Sequence, residues 1–173
     1  MNAAERKPWQ KPVLTPHRAA GPNKFGNQRH RIYKAEIDGA PIDFAETWTY
    51  KGLAYSDVPN LASSFGYINA SWTLRTDLIC EYVCRLLNHM ESIGAVECTP
   101  RLRSQDARMR PRPWIEGFTP GYMNRYMDRM PRQGDREPWI NPQNYARDKK
   151  MFAKDPLDDG VMRFTSSRTP ASV

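Results

Sequence analysis

No two of the chain's ten glycines are separated by a single residue, so it contains no G-x-G, no dinucleotide-binding fingerprint and no P-loop. It has no apolar run approaching the ~18–20 residues that span a bilayer, so no transmembrane helix is expected. The opening MNAAERKPWQKPV lacks an apolar stretch, so no secretory signal is expected either. Three cysteines cannot all pair with one another, which points to reduced thiols and a cytoplasmic setting rather than a disulfide scaffold. Cys80 and Cys84 fall at i, i+4 and His89 on another azimuth, short of the convergent ligands zinc needs. They read as helix cysteines near the core edge, and no metal is expected. His17 and His30 have no carboxylate nearby, no Ser, His, Asp set forms a nucleophile elbow, and Asp158-Asp159 reads as a solvated turn. No catalytic residue is assigned.

Charge is present and unevenly placed. The 173 residues carry 26 Lys+Arg against 19 Asp+Glu, a net +7. Residues 1–34 hold eight of the basic residues and one acid, Glu5, which accounts for the whole excess. The same stretch holds Pro8, Pro12, Pro16 and Pro22 and has no helix or strand period. It is too poor in apolar surface to offset its ordering entropy, so residues 1–35 are expected to be a basic, proline-rich disordered tail. A solvated extension is favoured over one that docks on nucleic acid or anionic lipid. The alternative function for the chain is a polyanion-binding module, using this tail and the arginine-rich stretch 101–112, which is expected to be an exposed loop.

From residue 36 the pattern becomes that of a folded body. Ile37 and the run from Pro41 to Tyr50 read as extended segments around a turn at Asp38-Gly39. Ile42, Phe44, Trp48 and Tyr50 are spaced to share one sheet face. Leu61 to Tyr67 reads as another strand. Leu74, Leu78, Ile79, Tyr82, Val83, Leu86, Leu87, Met90 and Ile93 then mark an amphipathic helix over 72–93 with one apolar stripe. Asn69 or Ser71 can cap its start, and Gly94 sits where a terminating glycine belongs. Thr119-Pro120 can open a short helix through Tyr122, Tyr126 and Met130. Asn141-Pro142 has the residues of another helix start, ending near Lys154, and 156–164 suggests a turn and a short strand. The fold class expected is α+β: short strands, one long amphipathic helix and an irregular C-terminal tail. The residues after 165 are expected to be a disordered end.

Phe65-Gly-Tyr-Ile-Asn-Ala-Ser-Trp72 runs strand, turn, helix. Taken alone, it is an ordinary capped turn. A helix start also offers free N–H groups and partial positive charge to an anion or electron-rich carbonyl, and Gly66 would admit a ligand close to the backbone. Together with Tyr50 to Ala54, Val58 to Leu61, Gly66 to Leu74, Asp77-Leu78 and Tyr82 to Asn88, this junction resembles the C-terminal portion of class B flavin-dependent monooxygenases. The likeness is to the Baeyer–Villiger type, ethionamide-activating subgroup. It continues through Phe118 to Tyr122, Pro131 to Gly134, Pro138-Trp139 and Gln143 to Tyr145, so it covers about 36–165.

The resemblance implies the C-terminal fragment of a fold with two dinucleotide-binding domains, one for FAD and one for NADPH. It implies oxygen insertion into ketones, or oxidation of sulfur and nitrogen centres, through a peroxyflavin. It places Gly66, Tyr67, Asn69, Ala70, Ser71 and Trp72 at the pyrimidine edge of the flavin, with the apolar stripe of the long helix packed on the FAD domain. The family's glycine-rich motifs would precede residue 36, where only the basic tail stands. The chain is therefore expected to be an incomplete fragment or partner subunit, inactive alone and holding neither FAD nor NADPH tightly. Its expected partner is a FAD-domain chain, or a second copy through the exposed helix face.

Overall fold

The computed structural model describes residues 13–17, 32–117, 121 and 127–166, which belong to two compact units, Met1–Asp43 and Phe44–Val173. In the first unit, β1 (Val13–His17) pairs antiparallel with β2 (Ile32–Ile37), which turns back into β3 (Ala40–Pro41). Asp38 (φ 54°) and Gly39 (φ 81°) are both left-handed, the geometry a tight two-residue hairpin requires. The structure differs from the sequence expectation at Val13–His17 and at β2, which crosses 35/36. These stretches hold β-formers such as Val13, Thr15, Ile32 and Tyr33, and Pro16 is tolerated because β1 lies at the sheet edge. The other residues of 1–35, and the expected disordered end from 167 on, lie outside the described residues.

The second unit opens with a 3-10 turn at Phe44–Glu46, which interrupts the sheet face expected for Ile42, Phe44, Trp48 and Tyr50. β4 (Thr49–Tyr50) then pairs with β5 (Ala54–Tyr55) through left-handed Lys51 and Gly52. The strand expected over 61–67 does not form. The segment pairs with no strand, and its backbone bonds to the rest of the fold one group at a time, as with Ser63 N–H to the Leu53 carbonyl (2.7 Å).

The long helix is α1 (Trp72–Ser92), 21 residues. It stops in a Schellman arrangement. Gly94 is left-handed at φ 66°, its N–H donates to the Glu91 carbonyl (3.2 Å), and the Ala95 N–H donates to the Met90 carbonyl (2.8 Å). Its buried face is rotated from the expected stripe. Leu78, Ile79, Tyr82, Leu86 and Met90 are inside, together with Arg75, while Leu74, Leu87 and Ile93 are exposed. The cause is α2 (Tyr145–Lys154), whose Met151 and Phe152 join Tyr82, Leu86 and Trp139 in the core. α2 begins three residues later than Asn141-Pro142 suggests. Gln143 is left-handed (φ 51°) and cannot continue a helix, so Asn144 becomes the cap, accepting from the Arg147 N–H (3.0 Å).

β6 (Glu97–Pro100) pairs with β7 (Met162–Thr165), the short strand expected near residue 164. Arg112–Pro113 pairs with Arg132–Gln133. The stretch 101–112 is more than a loop. It holds a 3-10 turn, Ser104–Arg108, fixed by Arg103 on buried Asp106 (2.9 and 3.0 Å). Burial alone would raise the Asp106 pKa, but the Arg103 bonds outweigh it and hold the carboxyl below its ordinary value. The helix expected over 119–130 lies largely outside the described residues, of which Met127–Arg129 form one 3-10 turn. Mixed α and β content agrees with the expected α+β class. No helix among the described residues is long and apolar enough to cross a membrane.

Candidate functional site

The junction 65–72 is held from behind by side chains far away in sequence. Arg75, in the first turn of α1, donates through Nε to Asp148 Oδ2 (3.0 Å) and through Nη1 to the Phe65 carbonyl (3.2 Å). Tyr67 donates its hydroxyl to the same Asp148 oxygen (2.9 Å) and lies under the Arg75 guanidinium. Gln143 accepts from the Ile68 N–H (3.0 Å) and donates to the Gly66 carbonyl (3.3 Å). Four consecutive residues, 65 to 68, are thereby pinned by Arg75, Asp148 and Gln143. Arg75 and Asp148 side chains are fully buried. Gln143's left-handed backbone costs conformational energy, which its two side-chain bonds to the junction help offset.

Gly66 and Tyr67 are buried, and the structure gives the glycine a packing reason. A Cβ at Gly66 would fall 2.7 Å from the Trp72 Cα and overlap the indole, so the missing side chain makes room for Trp72. Tyr67 faces inward onto Asp148. Asn69, Ala70 and Ser71 are exposed, and Trp72 is 51% exposed, edge-on to Phe65 at 4.6 Å. Ser71 takes the cap position but does not cap. Its hydroxyl lies 3.0 Å from that of Thr73. The first-turn N–H groups of α1 thus have no side-chain cap, and they carry about half a positive charge. Residues 69–72 and this helix start therefore stand open on the surface. Gly66 and Tyr67 lie buried behind them.

Burial pushes the Asp148 carboxyl above its ordinary value, and the pull of Arg75 and Tyr67 in the other direction does not cancel it. A carboxyl raised in the folded state binds more protons there than when unfolded. Its contribution to stability is therefore full below the unfolded value of ~3.9 and falls as pH rises through the folded one. Replacing Arg75 by Met removes the largest lowering influence. Urea midpoints of Arg75→Met are expected to fall with rising pH over a wider window than those of the unsubstituted chain. Adding Asp148→Asn is expected to flatten that difference.

A second buried polar group surrounds Lys51, whose Nζ meets Asp155 (3.0 Å). Tyr50 donates to Asp159 (2.7 Å) beside the Tyr82 hydroxyl (3.3 Å), and burial pushes Tyr82 up to about 12. The acidic pair 158–159 is therefore not simply a solvated turn. Asp159 also accepts from the Val161 and Met162 N–H groups (2.9 and 3.0 Å). Cys80 and Cys84 are exposed, while Cys98 is buried and its thiol is pushed up to about 11 by burial. Among the described residues no three His, Cys, Asp or Glu side chains gather to hold a metal.

As site residues the sequence reading missed Arg75, Asp148 and Gln143. One signal was available: Arg75 stands on the azimuth of Leu78, Ile79 and Tyr82, a charge inside an apolar face.

Comparison with known proteins gives these motifs a family: the chain belongs to the FAD-containing monooxygenases of the ethionamide-activating kind, as a partial region of one. It is 43% identical over 139 residues to FAD-containing monooxygenase EthA of Mycobacterium tuberculosis, a match covering 80% of this chain and 28% of that protein. To EthA of Mycolicibacterium smegmatis it is 44% identical over 135 residues, 78% of this chain and 27% of that protein. The chain thus spans little more than a quarter of the length of these relatives. No family model matches it, and no solved structure matches it.

Proposed function

We propose that this chain supplies the flavin-facing end of an FAD-containing monooxygenase of the Baeyer–Villiger type. NADPH is the reductant, and ketones or sulfur and nitrogen centres are the substrates. In this reading the protein works in the cytoplasm, its three cysteines unpaired. The observation that carries it is the α1 start: exposed at 69–72, uncapped by side chains, and pinned by Arg75, Asp148 and Gln143. Bound FAD supplies the redox and oxygen chemistry. The chain's own contribution is electrostatic and positional. The first-turn N–H groups of α1 present partial positive charge to the ring's carbonyl edge, favouring negative charge there, and need no rearrangement when it appears. Trp72, edge-on to Phe65, offers an aromatic surface beside that edge. The pinned backbone keeps the N–H groups aimed.

The test mixes this chain with a polypeptide carrying the part of M. tuberculosis EthA outside the 139 matched residues, together with FAD. The visible flavin band is expected to shift on adding the chain, and Thr73→Pro, which removes one of the first-turn N–H groups of α1, is expected to reduce that shift. A flavin spectrum indifferent to the chain overturns the proposal.

A further inference from the structure

Tyr50 and Tyr82 are both 0% exposed, and their hydroxyl oxygens lie 3.3 Å apart inside the core. Tyr50 has one hydroxyl proton and gives it to Asp159 Oδ2 (2.7 Å), so the contact between the two phenols has Tyr82 as its donor. The other oxygen of Asp159 accepts from the Val161 and Met162 N–H groups (2.9 and 3.0 Å). The carboxylate is thereby fixed with Oδ2 turned to the phenol, within the ~2.6–3.2 Å over which a proton transfers. Burial pushes the Tyr50 hydroxyl above its ordinary value, so the proton stays on the phenol while the ring keeps its electrons. Trp139, also 0% exposed, meets the Tyr50 ring edge-on at 6.0 Å in the same apolar core.

A phenol that loses an electron becomes a strong acid, and in an apolar core its charge is costly unless a base lies within reach. Tyr50 has that base. We propose that Tyr50 is a redox-active tyrosine, which yields one electron to a one-electron oxidant as its hydroxyl proton passes to Asp159. One O–H bond breaks at Tyr50 and one forms at Asp159 Oδ2. The oxidant takes the electron, and a neutral tyrosyl radical remains. Its oxygen accepts from Tyr82 and from the protonated Asp159, and the surrounding core keeps other molecules away from it. Return of one electron sends the proton back. Trp139 extends the aromatic path from Tyr50 by one ring. Lys51 stands 5.5 Å from the Tyr50 ring, and Asp155 at 3.0 Å matches its charge. Tyr67 is the comparison. Its hydroxyl also meets a carboxylate, but that oxygen of Asp148 already receives Arg75 (3.0 Å), so a proton arriving there would displace a bond to a buried cation. Tyr55 meets the Ser63 hydroxyl (2.6 Å), a far weaker base. This proposal goes beyond the flavin-edge reading and does not depend on it.

Flash photolysis of tris(bipyridine)ruthenium(II) with a cobalt(III) quencher supplies the oxidant to the full chain, and electron paramagnetic resonance reads the product. A long-lived neutral tyrosyl signal is expected, formed more slowly in heavy water than in light water because a proton moves with the electron. Tyr50→Phe is expected to remove that signal. Asp159→Asn, which keeps the ring and its burial, is expected to lower the yield about 10-fold or more, the worth of a hydrogen bond to a charged group. Tyr67→Phe is expected to leave yield and isotope effect unchanged. Tyr82→Phe spares the Tyr50–Asp159 bond and is expected to shorten the radical's lifetime, which gives a second readout where Asp159→Asn fails to fold. The proposal is overturned by the absence of a tyrosyl signal, by a signal that survives Tyr50→Phe, or by one lost in Tyr67→Phe instead. Equal rates of formation in heavy and light water, or an unchanged yield in folded Asp159→Asn, overturn it too.

Discussion

Asp148→Ala is expected to cost this chain about 3–5 kcal/mol of unfolding free energy, because it strands the Arg75 guanidinium without its carboxylate in a fully buried place. Three bonds end on or beside this carboxylate. Arg75 loses its ion pair, Tyr67 loses its acceptor, and the Phe65 carbonyl is left as the main partner of a buried cation. Urea unfolding followed by circular dichroism reads the loss. A second variant separates charge from shape. Arg75→Met with Asp148→Leu replaces the pair by apolar groups of similar size, and is expected to recover most of the loss, since a buried pair is often worth little against such a replacement. A cost below about 1 kcal/mol for Asp148→Ala would show that the carboxylate does not hold the junction in solution.

Gly52→Ala is the other large effect, expected at about 2–5 kcal/mol from two sources that add. Gly52 is left-handed at φ 70°, where an L side chain is strained. The new Cβ would also lie 2.6 Å from Asn141 Oδ1 and overlap Arg75 Nη2. Neither neighbour can retreat cheaply. Arg75 is tied to Asp148, and Asn141 donates to the Trp114 carbonyl (3.2 Å) and receives Gln143 (3.3 Å). The strain therefore passes into the group that pins 65–68. Gly39→Ala isolates the conformational part, because it has a similar φ but nothing within 4 Å of its Cβ. It is expected to cost about 1–2 kcal/mol. Equal losses at the two positions would remove the packing half of the argument.

What was legible in the sequence was local. The Asp38-Gly39 turn, the extent of α1 and its stop at Gly94, the end of α2 near Lys154 and the strand near 164 all depend on neighbours within a few residues. What was not legible depends on distant pairings. Leu61 to Tyr67 has the residues of a strand but finds no strand to pair with, and its backbone partners are scattered over Leu53, Arg75 and Gln143. The start of α2 was misplaced because Gln143 gives up helical geometry to reach Gly66 and Ile68. The buried face of α1 was misjudged because α2, 73 residues on from Arg75 at Asp148, decides which azimuth is covered. In the candidate site, 69–72 was legible as a helix start. The inward roles of Gly66 and Tyr67 were not, since nothing near them in sequence shows Trp72 folding back over the glycine.

The central claim is that the 65–72 junction is pinned from behind so that the start of α1 is preset. Hydrogen exchange at the Ile68 amide tests it most directly, because this N–H has Gln143 Oε1 as its partner (3.0 Å) and belongs to no helix or strand ladder. Exchange slowed well below that of an exposed amide is expected, with Gln143→Ala restoring the fast rate while amides in the middle of α1 stay protected. An Ile68 amide that exchanges freely in the unsubstituted chain would contradict the claim.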